Sequence, residues 1–232
     1  MDQSGGRVKS DSMAPDLHWE TRSGYPKIAV VGIDEVGRGC LAGPVVAAAV
    51  ILPAVIDHVT DPWVLKIADS KKLTAEMREI LTPLIEKWAL KWAVGVATVE
   101  EIDRINIHHA SHLAMMRALE EVRAGYNDPL HILIDGKFVP KELGRTATAV
   151  IKGDDKCLSI AAASVLAKVW RDRHMATLSQ RYPGYELESH KGYSTPAHQA
   201  ALKKLGPSEI HRRSFAPVAA LLESETEPEF LF

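Results

Sequence analysis

Residues 27–34, KIAVVGID, form a short apolar run rich in β-branched residues that ends on an acid, and Glu35, Val36 and Gly-Arg-Gly at 37–39 follow at once. This junction constrains the fold more than any other stretch. Acids are poor strand formers, and glycine adds an entropic cost. Local folding preferences are often broken where a chain builds a site. The pattern recurs: LHILID at 130–135 ends on Asp135, and TATAVI at 146–151 runs into Asp154 and Asp155.

The remaining periodicities complete an α/β chain. PVVAAAVIL at 44–52 predicts a second buried strand, close enough to the first for an antiparallel hairpin, and LKWAVGVAT at 90–98 a third. Helices are predicted over 74–88 with Thr74 as N-cap, over 106–124 with Asn106 as cap, and over 158–180, where Ala and Ser suit close packing on a sheet. After Pro183-Gly184 the chain turns polar, with short helices near 196–205 and 216–223. A mixed sheet flanked by helices follows, because the first hairpin is antiparallel and later strands need helical crossovers. The expected organisation is a flexible extension over 1–26, a catalytic domain over 27–182, a helical cap over 183–224 and an acidic tail over 225–232.

Open α/β sheets place sites at strand ends, where distant side chains converge. Carboxylates gathered there repel one another unless cations compensate them or some stay protonated. Hard oxygen donors select Mg²⁺ or Mn²⁺, and two such ions about 4 Å apart activate water and stabilise the leaving oxygen of a phosphodiester displacement. An isolated Asp-Glu pair more often caps a turn; repetition at Asp135 and Asp154 favours a metal site. One difficulty is geometric. Adjacent strand residues face opposite ways, so Asp34 and Glu35 share a site only if the strand ends or twists there.

Charge narrows the partners. The chain of 232 residues carries a net charge of -2, which argues against blanket polyanion binding. Local basic clusters remain at Lys71-Lys72, His190-Lys191, Lys203-Lys204 and His211-Arg212-Arg213, and charge on one face suffices to bind nucleic acid. No uncharged apolar run reaches the roughly 18 residues of a membrane helix, and the polar start has no apolar signal core. Cys40 and Cys157 lie far apart with no CxxC, which fits a reduced, cytoplasmic protein without structural zinc.

At GIDEVGRGCLAGPV, 32–45, the chain resembles ribonuclease HII, the type 2 ribonucleases H. Further stretches agree in order across 28–218: ADSKKLT, INIHHASHLAMMRAL, LIDGK, IKGDDKCLSIAAASVLAKVWRDRHM, HKGYSTPAHQAAL and HRRSFAPV. The resemblance implies a ribonuclease H-like fold with a small C-terminal helical region. It implies cleavage of RNA/DNA hybrids and of single ribonucleotides in duplex DNA, 5′ of the ribonucleotide, leaving 3′-hydroxyl and 5′-phosphate. The family's metal-binding acids fall on Asp34, Glu35, Asp135 and Asp154, with Asp155 as an extra acid. Gly37, Arg38 and Gly39 would contact the 2′-hydroxyl and nearby phosphate, and Tyr193 would stack on the following deoxyribose. Lys71, Lys72, Arg212 and Arg213 suit phosphate contacts, as do Lys168 and Arg171. A monomer is expected. Rival readings are a type 3 ribonuclease H acting on continuous hybrids and a non-catalytic hybrid-binding module.

Three lesser signals carry less weight. His108 and His112, at i and i+4, lack a third zinc ligand in reach. Cys40 and Ser164 sit in no nucleophile motif. The terminal Phe230-Leu231-Phe232 loosely resembles a sliding-clamp peptide without its leading Gln.

Overall fold

The computed structural model describes residues 14–226. A short helix α1 (His18–Arg22) precedes β1 (Ala29–Val36) and β2 (Val45–Ile51). Then come α2 (Ala75–Trp88), β3 (Lys91–Ala97), α3 (Val99–Arg123), β4 (Leu130–Asp135) and β5 (Ala147–Val150). The chain closes with α4 (Leu158–Arg181), α5 (Leu187–His190), α6 (Pro196–Leu205) and α7 (Ala216–Thr226). The five strands form one mixed sheet in the order β3-β2-β1-β4-β5. β1 pairs antiparallel with β2 and parallel with β4. Among the described residues no helix is long and apolar enough to cross a membrane.

Strand alternation explains the two cores. Val31, Ile33, Ala47 and Ala49 pack against α3, while Ala48 and Val50 pack against α2 and α4. Each Val or Ile side chain so buried contributes roughly 1.5–3 kcal/mol, and each Ala methyl about 0.8 kcal/mol. The small residues Ala161, Ala162, Ala163 and Ala167 let α4 lie close to the sheet. Gly32 is required there, because a Cβ would stand 2.1 Å from the Ser159 carbonyl carbon.

Helix ends follow local chemistry. Thr74 Oγ1 accepts from the Met77 amide, as the sequence predicts. The helix expected from Asn106 begins earlier: Thr98 and Glu101 form a capping box, and α3 kinks at Asn106, whose φ is 63°. Asn106 still caps the second segment, accepting from the His108 and His109 amides.

The expected flexible extension needs correction in its second half. Glu20 of α1 is fully buried, and its Oε1 accepts from the amide and hydroxyl of Ser159, 2.8 Å each. A residue 139 positions away in sequence thus caps the start of α4, whose own N-cap, Cys157, makes no side-chain cap bond. Residues 1–13 and the tail after 226 lie outside the described residues.

Candidate active site

The first strand does not end at its acids. β1 runs to Val36, with Asp34 opposite Ala48 and Glu35 opposite Ala47 on β2. What ends is the partner on the other side: the β1–β4 ladder stops at Ile33 and Ile134, and Asp135 is the next residue of β4. Past that point β1 has an open flank. Asp34 leans to the α4 face and Glu35 to the α3 face, and both feel the charge of Asp135. The geometric difficulty is resolved by a missing neighbour rather than by a broken strand.

Each acid is held by local structure. Asp34 Oδ1 accepts from the Glu35 amide at 2.7 Å, and the nearby Ser164 hydroxyl of α4 favours its charged form. Glu35 Oε1 pairs with Arg38 Nη1 at 3.0 Å. Asp135 Oδ1 accepts from the Gly153 amide at 2.6 Å, which ties β4 to the turn that carries Asp154. Lys152 enters that turn with φ of 57°. Lys71 Nζ stands 3.6 Å from Asp154 Oδ2, and Lys72 Nζ 2.6 Å from Asp155 Oδ1.

Crowding raises the acids. Burial, then the charges of Glu35 and Asp135, pushes the Asp34 carboxyl well above the usual aspartate range. Burial likewise raises Glu35, against the pull of Arg38. Asp154 is pushed up to about 6, by burial first and by Asp135 and Asp69 next. Burial lowers the Lys71 ammonium, but Asp69, Asp34, Asp154 and Asp135 outweigh it and hold it above its ordinary value. These carboxylates lack enough internal cations to be comfortable as anions.

Sequence reasoning missed Asp69. Its carboxylate lies with those of Asp154 and Asp155 so that ligand oxygens fall within 4.8 Å of one another, the trio of that kind found among the described residues. Asp34, Glu35 and Asp135 are outside that trio and join it through the charge of Asp154. The available signal was the position of Asp69 beside the lysine pair, in ADSKKLT. Ser164 was set aside as a nucleophile; its hydroxyl is buried and bonds Ser70 Oγ at 2.9 Å. Cys40 is buried, with burial raising its thiol, and is likewise no nucleophile.

Two arginines expected at phosphates are elsewhere. Arg212 is completely buried, and its guanidinium donates to the carbonyls of Gly37, Arg38 and Gly43 at 2.7–3.0 Å. Arg171, also buried, donates to Pro44, Lys191 and Ala42. Arg171 spends three of its five N–H donors on backbone carbonyls and Arg212 four, and burial closes both to a phosphate. Both residues instead turn the carbonyls of the 37–44 loop inward. Among the described residues the amides of Arg38 and Gly39 make no internal hydrogen bond. Gly37, at φ of 93°, has no room for a Cβ, which would lie 2.2 Å from Arg171 Nε. Gly39 differs, having open space around its Cβ position.

Tyr193 is 39% exposed beside this loop, bridged to Cys40, with Lys168 Nζ 5.9 Å from its ring centre. Lys168 is bound to Asp172 at 2.7 Å. Arg213 stays at the surface, its amide held by Asp103. His108 and His112 form an aromatic contact of 4.4 Å near Phe138.

The ribonuclease HII family model matches residues 31–218, a span that contains every acid and the Gly-Arg-Gly loop. The chain belongs to the ribonuclease HII family. It is thereby a hydrolase of the ribonuclease H type, with the corresponding fold. A Ribonuclease HII of Paracoccus denitrificans is 54% identical over 84% of this chain and 89% of its own length. The ribonuclease H2 of Pyrococcus horikoshii superposes with a TM-score of 0.68 at 27% identity, over 87% of this chain and 100% of that one. Ribonuclease HII of Archaeoglobus fulgidus, solved as a complex with PCNA, superposes with a TM-score of 0.64 at 27% identity, over 80% of this chain and 94% of that one.

Proposed function

We propose that this chain hydrolyses the phosphodiester 5′ of a ribonucleotide, in RNA/DNA hybrids and at single ribonucleotides in duplex DNA, leaving 3′-hydroxyl and 5′-phosphate. The observation that carries this reading is the pairing of two unlike features at one sheet end. Asp34, Glu35, Asp135 and Asp154 are crowded there, the carboxyls of Asp34, Glu35 and Asp154 are raised, and a loop with free amides adjoins them.

The acids fit a divalent cation: their donors are all hard carboxylate oxygens, and neighbouring carboxylates rather than cations dominate their surroundings. Asp34, Glu35, Asp135 and Asp154 would hold Mg²⁺ or Mn²⁺, with Asp69 and Asp155 beside them. Bound there, such ions supply Lewis-acid stabilisation of phosphoryl charge and lower the pKa of water.

The chain's own groups do the recognition. Arg38 and Gly39 offer outward amides to an acceptor oxygen, and the open space at Gly39 lets a sugar approach. A 2′-hydroxyl, both donor and acceptor, is the group that separates RNA from DNA. Tyr193 would stack on the next deoxyribose, and Lys71, Lys72 and Arg213 would hold phosphates through charge. Arg212, completely buried, is closed to phosphate.

The test is cleavage of a DNA duplex carrying one ribonucleotide, with Mg²⁺ or Mn²⁺, for the wild type and Asp34→Asn. Incision 5′ of the ribonucleotide, lost in the variant, supports the reading. Cutting of continuous hybrid alone would favour type 3 specificity. Binding without cleavage would leave a hybrid-binding module. A sliding clamp is a second proposed partner, through Phe230-Leu231-Phe232, which lie outside the described residues; the archaeal complex with PCNA favours it. Equal clamp retention after deletion of 228–232 would remove it.

A further inference from the structure

Three histidines that the reaction does not use lie buried behind the recognition loop. His190, His198 and His211 are 8%, 0% and 1% exposed. They come from α5, from α6 and from the segment that follows α6. His190 stacks on His198 with ring centres 4.3 Å apart, and His198 Nε2 meets His211 Nε2 at 3.1 Å.

The partners determine where every proton sits. His190 Nδ1 accepts from the Gly192 amide, so its Nε2 carries the hydrogen donated to Tyr185 O. His198 Nδ1 faces Tyr193 O at 2.9 Å and must donate, which leaves its Nε2 an acceptor. His211 Nδ1 accepts from the Ser208 amide, so its Nε2 donates to His198. One proton per ring satisfies all six nitrogens. A second proton on His198 would face the Nε2–H of His211, and one on His211 would face the Ser208 amide, with the Ser208 hydroxyl 3.0 Å from the same nitrogen.

The relay spans the loop. The 40–43 segment is held between two strips: Leu41 N donates to Gly192 O on one side, and Gly43 N to Ile210 O while Leu41 O accepts from Arg212 N on the other. Isolated bridges join Cys40 to Tyr193 and Ala42 to His211. His198 connects the two strips directly, from Tyr193 O to His211 Nε2.

We infer that His190, His198 and His211 are positioning residues, a neutral three-imidazole clasp that sets the Gly37–Gly39 loop against Tyr193 and so tunes recognition of the ribonucleotide. The substrate effect rests on the proposed function; the clasp itself does not. The surroundings suit neutral rings. The titratable groups facing them are Tyr185 before α5, whose ring lies 4.8 Å from His211, Arg171 of α4 through Lys191 O, Arg212 next to His211, and Tyr193 with Cys40 across the loop. Among the described residues no carboxylate bonds any of the three imidazoles, and burial lowers the affinity of His198 and His211 for a second proton.

Two measurements on the full chain test this. Nitrogen-15 NMR of the imidazoles at neutral pH should show Nδ1–H on His198 and Nε2–H on His190 and His211. Any cationic ring, or the opposite tautomer at His198, overturns the clasp whether or not the protein cleaves anything. Steady-state cleavage of the single-ribonucleotide duplex should then show His198→Ala raising KM roughly tenfold with kcat within about threefold. His211→Gln, which keeps a donor at the Nε2 position, should stay within about threefold of wild type in KM, and His211→Ala should not. A folded His198→Ala with unchanged KM, or His211→Gln as impaired as His211→Ala, sinks the positioning role. Should His198→Ala lose its folding transition, the two His211 variants decide. Hydrogen exchange at the Leu41 and Gly43 amides reads the loop itself: faster exchange in His211→Ala than in His211→Gln is expected, and equal rates count against the clasp. If the wild type cleaves neither substrate, the proposed function falls while the tautomer and exchange results still judge the clasp.

Discussion

Two clusters of titratable side chains among the described residues, one partly and one wholly buried, are built on opposite terms. At the sheet end, Asp34, Glu35, Asp135 and Asp154 crowd like charge against like charge, and the carboxyls of Asp34, Glu35 and Asp154 are raised. Behind the 37–44 loop, His190, His198 and His211 pair every ring nitrogen and need no charge at all. A buried polar group that is satisfied internally holds structure in place; one left dissatisfied is available to a ligand. The same distinction separates two pairs of arginine and glycine positions. Arg171 and Arg212 spend their donors on loop carbonyls, and Gly37 is needed by Arg171. Gly39 answers to nothing inside the protein.

The largest effect should come at the dissatisfied cluster. Asp34→Asn is expected to lower cleavage by on the order of 10³-fold or more, because in the proposed function it removes a charged metal ligand. Metal-free thermal stability should not fall, since one repulsion is relieved. A variant that loses both activity and its melting transition would break the contrast.

Next comes Arg212→Met. It would leave the Gly37, Arg38 and Gly43 carbonyls without a main donor, and a cost of about 3–5 kcal/mol is expected in urea unfolding. Were Arg212 a phosphate contact instead, stability would hold and only the salt dependence of binding would change.

The two clusters should respond to pH with opposite signs. His211 is lowered from 6.5 to about 4. Between those values the unfolded chain binds the extra proton, so stability falls as pH falls, by at most roughly 3 kcal/mol. Asp154 is raised from 3.8 to about 6. Across that window the folded state binds the extra proton, so without metal its contribution to stability falls as pH rises. His211→Gln should flatten the first slope and Asp154→Asn the second, read from denaturant midpoints at pH 4.5 and 7.5. Added Mg²⁺ should raise the melting temperature more at pH 7.5 than at pH 4.5.

The smallest and sharpest contrast is between glycines. Gly37→Ala should cost about 1–3 kcal/mol from its positive φ and the clash with Arg171. Gly39→Ala should leave stability within about 0.5 kcal/mol yet weaken cleavage of the single-ribonucleotide duplex. Equal losses of stability at both positions would mean that the loop has one role rather than two.

Much of this was legible in the chain. Short apolar β-branched runs predict the strands, Thr74 marks the start of α2, and Asn106 marks the second segment of α3 rather than its start, because strand composition and capping are local properties. The acids were legible for a similar reason: each closes or follows an apolar run, where local preference is broken. Asp69 was not, since it follows no strand and joins Asp154 only through the fold. The capping of α4 by Glu20 was equally hidden, as the two ends lie 139 residues apart.

By itself, then, the sequence determined the α/β class and the order of the strands and longer helices, and it marked the candidate carboxylates and the Gly-Arg-Gly loop, all through residue type and short-range spacing; α1 and α5 escaped it. Tertiary structure alone decided which charged groups face inward. Arg38 and Arg213 remain exposed while Arg171 and Arg212 vanish beneath the loop, and three histidines from separate segments close into one relay. Residue type states what a side chain can bond. Whether it bonds a ligand or the protein's own backbone depends on burial, and burial is settled by contacts between segments far apart in the chain.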